Sequence, residues 1–321
     1  MDFLFATLPY LNIGFFCALL ARFTGANLSA LVLCCFLYLG ATPVQTIGMM
    51  LTFLAFMQLT IHTQGERLSF KTLRIFKSWR ILIPVLFVAF TLVANLFVAF
   101  TLVANPFYAI ASFVGFFLME VLAMLYLELP IDQRPTRMTL VKYSVFGFIA
   151  ALLGLLALSV IPAPYYYLVC GILILIVTGL IFWLGKNRKR LQTTWDAVIY
   201  AAWFLLGFCG LEWSDWLRDL KRQRVSTLAR YLAIVTVPVV FLTFVAANVV
   251  YGIISLSGLI TALAATIAIR LFGYYRVSER GEANPIALGL VVLAVLCLFL
   301  VQPAPHGITD LLYVPTSWKL W

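Results

Sequence analysis

Apolar runs of about 17–25 residues, each long enough to cross a hydrocarbon layer of about 30 Å as a helix, recur from one end of this chain to the other. In lipid a backbone has to satisfy its own N–H and C=O groups, which restricts such runs to helices or closed barrels. Eleven apolar segments are read, at about 3–21, 28–40, 42–62, 81–105, 107–127, 143–161, 165–185, 195–211, 231–250, 258–275 and 286–302. The chain is 64% hydrophobic and 11% charged, against about 45–50% apolar and about 25% charged in soluble domains. A soluble core does not absorb that much apolar surface, so the expected fold class is an all-α polytopic membrane protein.

No Lys or Arg precedes the stretch that begins at Phe3, so it reads as a retained helix and not as a cleaved signal. Cys17, Cys34, Cys35, Cys170, Cys209 and Cys297 all fall inside apolar runs without CxxC spacing. That pattern supports neither a metal cage nor a disulfide framework and leaves them as small packing residues. The net charge of +10 is distributed over short connectors and not gathered on one face, so it reports orientation and not a nucleic-acid partner.

With Arg67, Lys71, Arg74, Lys77 and Arg80 cytoplasmic, strict alternation puts Arg134, Arg137, Lys142 and the Lys186–Arg190 run on the same side. The next segment breaks the pattern. If 195–211 crossed, Arg218, Lys221, Arg222, Arg224 and Arg230 would face outward; if it is re-entrant, they stay inside. Non-helical backbone at membrane depth survives where protein or water satisfies it, so a re-entrant element points to a solute cavity. Leu86–Asn95 reads LFVAFTLVAN and Leu96–Asn105 repeats it unchanged, a duplication that adds about 15 Å of helix. Leu68–Trp79 alternates apolar and basic residues as a helix lying on an anionic leaflet would.

Phe23–Gln45 reads FTGANLSALVLCCFLYLGATPVQ, followed by TIGMMLTFLAFMQLT. This resembles the opening of the TauE/SafE sulfite-exporter family, in which a Gly-bearing break leads to a short apolar segment, a small-Pro turn and a Thr-rich helix. WFLLGFCGLEWS, after Asp196, resembles the family's second Gly-rich break, and Gly258–Tyr275 a later helix. Where the family carries Gly-Gly clusters, this chain has Gly25-Ala26-Asn27 and Gly207-Phe208-Cys209-Gly210. The resemblance implies two degenerate, inverted helical repeats with re-entrant or broken helices: 1–128 as the first, 129–194 as an additional hairpin with a basic linker, and 195–321 as the second with a short tail.

P-loop, GxSxG, HExxH and dinucleotide signatures are missing, and His62 and His306 are the only histidines. No enzyme activity, metal or cofactor is expected. Polar groups at membrane depth become the candidates. Around the first break, Arg22 either supplies countercharge to an anion or snorkels to the surface; Asn27 or Ser29 could cap the following helix while its amides face the anion, and Thr24 is a further substrate-binding candidate in the break. Thr42, Gln45, Thr46, Thr52 and Gln58 read as a solute path or as interhelical glue, and Glu212 and Ser214 as the mirrored site or an interfacial anchor. Glu120 is a proton-coupling group or a neutral, hydrogen-bonded acid, with Asn248 a weaker case. The expectation is a multi-pass plasma (inner) membrane exporter of a small anion such as sulfite or an organosulfonate, gradient-driven or passive. Its rival is a transporter-derived scaffold whose partner is a second copy or another membrane protein.

Overall fold

The structure is a computed structural model that describes residues 2–62, 115, 118, 121, 122, 125, 126, 134–186, 192–212, 227–251, 253–272, 285–300 and 313–315. The duplicated decamers, the basic segment 68–79, Glu120, Ser214 and most of the basic connectors lie outside these residues.

The described chain is all-α apart from one small strand pair. Its helices are α1 (Asp2–Thr24), α2 (Leu28–Tyr38), α3 (Pro43–His62), α4 (Arg137–Leu158), α5 (Ala163–Lys186), α6 (Gln192–Cys209), α7 (Thr227–Tyr251), α8 (Leu256–Phe272) and α9 (Pro285–Leu300). Ile253–Ser255 forms β1 and pairs antiparallel with β2 (Tyr313–Pro315). Two β-branched residues in succession favour the extended backbone. The partner strand lies about sixty residues along the chain, beyond the reach of any local pattern.

Several starts and stops follow from local chemistry. Thr42 and Gln45 form a reciprocal capping box at α3: the Gln45 N–H donates to Thr42 Oγ1 at 3.3 Å and the Thr42 N–H to Gln45 Oε1 at 2.9 Å. Pro43 takes the first helical position, where a missing N–H is harmless. Thr136 caps α4 by accepting from the Thr139 N–H at 3.2 Å, and Ser255 accepts from the Gly258 N–H at 3.1 Å to start α8. At the far end of α2, the Ala41 N–H reaches back to Phe36 O at 3.3 Å around Gly40, whose φ of +77° closes a Schellman turn.

The helices pack in corresponding pairs. α1 lies on α8 and α6 on α4; α8 also meets α3, as α4 meets α7; α3 crosses α7, and α5 lies on α9. Small residues let the backbones touch. A Cβ on Gly207 of α6 would collide with the Ala151 carbonyl of α4, one on Gly154 with the Phe204 carbonyl, and one on Gly14 of α1 with the Thr261 carbonyl of α8.

Residue size is sorted from the inside outward. On α4 the buried face is Ser144, Gly147, Ala151, Gly154, Leu155 and Leu158, whereas Val145, Phe146, Ile149, Leu153 and Leu156 are exposed. α8 repeats the arrangement, with Gly258, Thr261, Ala262, Ala265 and Ala268 buried and Leu263, Ile267 and Leu271 exposed. α2, about 16 Å long by its eleven residues, is enclosed on nearly every side. Among the described residues one helix, Arg137–Leu158, passes the length-and-composition test for crossing a membrane. Shorter apolar stretches occur at Leu28–Tyr38, Tyr165–Leu180, Ala197–Cys209, Ile234–Asn248, Leu256–Phe272 and Pro285–Leu300.

Candidate functional site at the two helix breaks

Besides α2 at Gly40, two further helices stop at a left-handed glycine. α1 ends where the Gly25 N–H bonds Ala21 O at 2.9 Å, with Gly25 at φ +74°. α6 ends where Gly210, at φ +72°, bonds Leu206 O at 2.9 Å and Leu211 N–H reaches Leu205 O at 3.4 Å. An L side chain at such φ is strained, so these positions select glycine. Thr24 secures the first stop, donating its hydroxyl to Leu20 O at 2.6 Å and accepting from the Ala26 N–H at 3.2 Å.

The chain leaving one break bonds directly to the chain leaving the other. Asn27 caps α2, its Oδ1 accepting from the Ala30 N–H at 2.9 Å, and its Nδ2 donates to Glu212 O at 2.9 Å. The Ser29 hydroxyl accepts from the Glu212 N–H at 3.0 Å; its single proton is shared between Asn27 Oδ1 at 2.7 Å and Glu212 O at 2.8 Å. Asn27, Ser29 and Glu212 are each under one-tenth exposed. Shielded from water, these bonds are stronger than surface ones, and any group left unmatched there would be costly.

Other candidates are placed elsewhere. Arg22 donates Nε to Phe272 O at 2.9 Å, a cation on the last turn of α8, where the helix dipole favours it. Gln45 is engaged in the α3 cap. Thr46 is buried at the start of α3, its hydroxyl 3.4 Å from Ala41 O. Thr52 and Gln58 are buried farther along the same helix, and the Asn248 amide nitrogen on α7 bonds Phe244 O at 2.7 Å. The structure therefore joins Asn27, Ser29 and Glu212, flanked by Thr24. Reading the sequence alone misses Tyr166, whose buried hydroxyl bonds Phe208 O at 3.0 Å and ties α5 to the end of α6.

The cap makes a separable prediction. Gln45→Ala is expected to lower stability by about 1 kcal/mol, whereas Gln45→Glu, which can still complete the box, stays near wild type. Thermal unfolding reads both variants, and equal losses would show that the cap is not what Gln45 contributes. Compared with known proteins, the chain matches no family model, no curated protein and no solved structure.

Proposed function

We propose that this is a multi-pass protein of the plasma (inner) membrane that moves a small anion, with sulfite or an organosulfonate as the first candidates, down a gradient or passively. The carrying observation is the direct bonding of two broken-helix ends through Asn27, Ser29 and Glu212. Discontinuous helices that meet in a membrane-protein interior bring backbone donors and acceptors to the solute position that inverted-repeat transporters use.

Three observations support the membrane setting. The inward faces of α4 and α8 are mostly small residues, with Leu155, Leu158 and Ile269 the large ones, and the outward faces are large and apolar, as expected where lipid replaces water outside and close approach drives packing inside. Helices α1, α5 and α7 are 23, 24 and 25 residues long, enough to span about 30 Å. Within α3 there is no Asp, Glu, Lys or Arg.

The repeat reading rests on correspondence. Exchanging α1 with α6, α3 with α7, α4 with α8 and α5 with α9 converts the principal packing pairs into one another. Gly258 on α8 meets Met49 on α3, and Gly147 on α4 meets Val239 on α7. Thr46 and Gln58 on α3 correspond in spacing to Thr236 and Asn248 on α7, and all four are buried. On this reading α4 and α5 complete the first repeat, so 129–194 is not an addition between the halves.

Glu212 separates function from folding. Asn27 and Ser29 hold it through its main chain, so Glu212→Gln alters the carboxyl without touching those bonds. We expect this variant to fold with the main-chain bonds to Asn27 and Ser29 intact and to change sulfite flux into reconstituted vesicles at least about tenfold, corresponding to about 1.4 kcal/mol. Wild-type flux in the variant would remove the carboxyl from the site. No flux of any tested anion in the wild type would favour the scaffold reading, for which the closed junction of three buried residues would be an assembly fixture.

A further inference from the structure

Five of the six cysteines lie on the helices that end or begin at the breaks or that bond to them. Cys17 comes from α1, Cys34 and Cys35 from α2, Cys170 from α5 and Cys209 from the last position of α6, directly before Gly210. Cys17 and Cys35 face each other with their sulfurs 3.8 Å apart. Cys209 donates its thiol to Leu205 O at 3.3 Å, and Cys34 and Cys170 are buried. No three metal-binding side chains among the described residues are arranged to hold an ion, so the geometry favours pairwise thiol chemistry.

We propose that Cys17 and Cys35 form a reversible dithiol–disulfide pair that locks α1 to α2 across the first break, with an apolar organic disulfide as oxidant. The two sulfurs lie on either side of the Gly25–Asn27 turn, 18 residues apart in sequence. They must approach by about 1.8 Å to reach a bonded separation of about 2.05 Å, a movement within the scale of side-chain rotation. Cys17 is buried and Cys35 half-buried, which assigns the order of attack.

Cys35, the more accessible thiol, attacks one sulfur of the organic disulfide, its proton passing to the thiolate that leaves. That S–S bond breaks, one thiolate leaves and a mixed disulfide remains on Cys35. The Cys17 thiol then attacks the Cys35 sulfur, forming the Cys17–Cys35 bond as the second thiolate leaves and takes up the Cys17 proton. The protein dithiol is oxidised by two electrons, and the organic disulfide is reduced to two thiols. Once formed, the bond ties α2 to α1 above the turn and opposes any separation of Asn27 and Ser29 from Glu212. This lock does not depend on what the protein carries.

The test treats the full chain in lipid vesicles with 4,4′-dithiodipyridine, blocks remaining thiols with N-ethylmaleimide and maps the cysteines by mass spectrometry. The expected product is a Cys17–Cys35 cross-link that a reductant removes, together with amide hydrogen exchange at residues 25–30 slowed at least about tenfold. In Cys17→Ser, Cys35 should retain the pyridylthio group because the second step has no nucleophile. Recovery of Cys17 and Cys35 as separate maleimide or pyridylthio adducts in the wild type would overturn the pair. A cross-link that leaves exchange at residues 25–30 unchanged would overturn the lock. If the wild type carries flux, oxidation should lower it at least tenfold and reductant restore it. Both the mass and exchange readouts stand even if no anion is transported.

Discussion

Gly210→Val is expected to lower stability by about 3–5 kcal/mol, the largest loss from any single substitution considered. Gly210 sits at φ +72°, where an L residue loses about 1–2 kcal/mol. Its Cβ would also overlap the Met50 Cβ on α3, and overpacking a closed core costs about 1–3 kcal/mol. A β-branched side chain adds bulk to both effects. Gly289→Ala is the matched control: nothing lies within 4 Å of its added carbon, and within a helix alanine is preferred to glycine. That variant should melt at or slightly above the wild-type temperature. If Gly210→Val melts with the wild type, the left-handed stop and the α6–α3 contact at Met50 are both misplaced.

Removing Asn27 is expected to cost about 2–4 kcal/mol. The N-cap of α2 contributes about 1 kcal/mol, and the buried Glu212 carbonyl would lose one of its two donors, adding a similar or larger amount. Ser29→Ala leaves the Glu212 N–H without its acceptor and should cost about 1–3 kcal/mol. Because both side chains serve the same peptide unit, the double variant should fall short of the sum by about 1 kcal/mol. A double-mutant cycle by denaturant or thermal unfolding measures that shortfall. Strict additivity would mean that the two side chains act on independent structures and that the breaks are not coupled through Glu212.

These two sites show how unevenly the fold could be read from the chain. The positions of the breaks were legible, because glycine at the end of an apolar run, followed at the first break by a capping Asn, has a local backbone cause. The capping box at Thr42 and Gln45 carries an equally local signature, Thr followed three residues on by Gln, and it removes Gln45 from the solute ligands and the interhelical glue. Arg22 was read for its charge, yet its Nε bonds a carbonyl 250 residues along the chain. Electrostatic reasoning identifies that a buried or interfacial arginine requires an acceptor, but not which acceptor is near.

The cysteines mark the same boundary from the other side. Separately, each is a small residue in an apolar run, and Cys17 and Cys35 share no spacing that would join them. Their proximity is created by the packing of α1 and α2. Glu212 likewise stood out because it follows a glycine break, whereas its bonds to Asn27 and Ser29 required the two breaks to meet.

What the sequence by itself determined is the helical class, most helix positions and the location of both stops, since apolar run length, glycine and caps act over a few residues. Tertiary structure alone decided the strand pair between residues 253–255 and 313–315, the pairing of α1 with α8 and of α6 with α4, and the junction at Glu212. Those choices depend on which small faces can approach closely and which buried donors find acceptors, and both are properties of surfaces assembled from residues far apart in the chain.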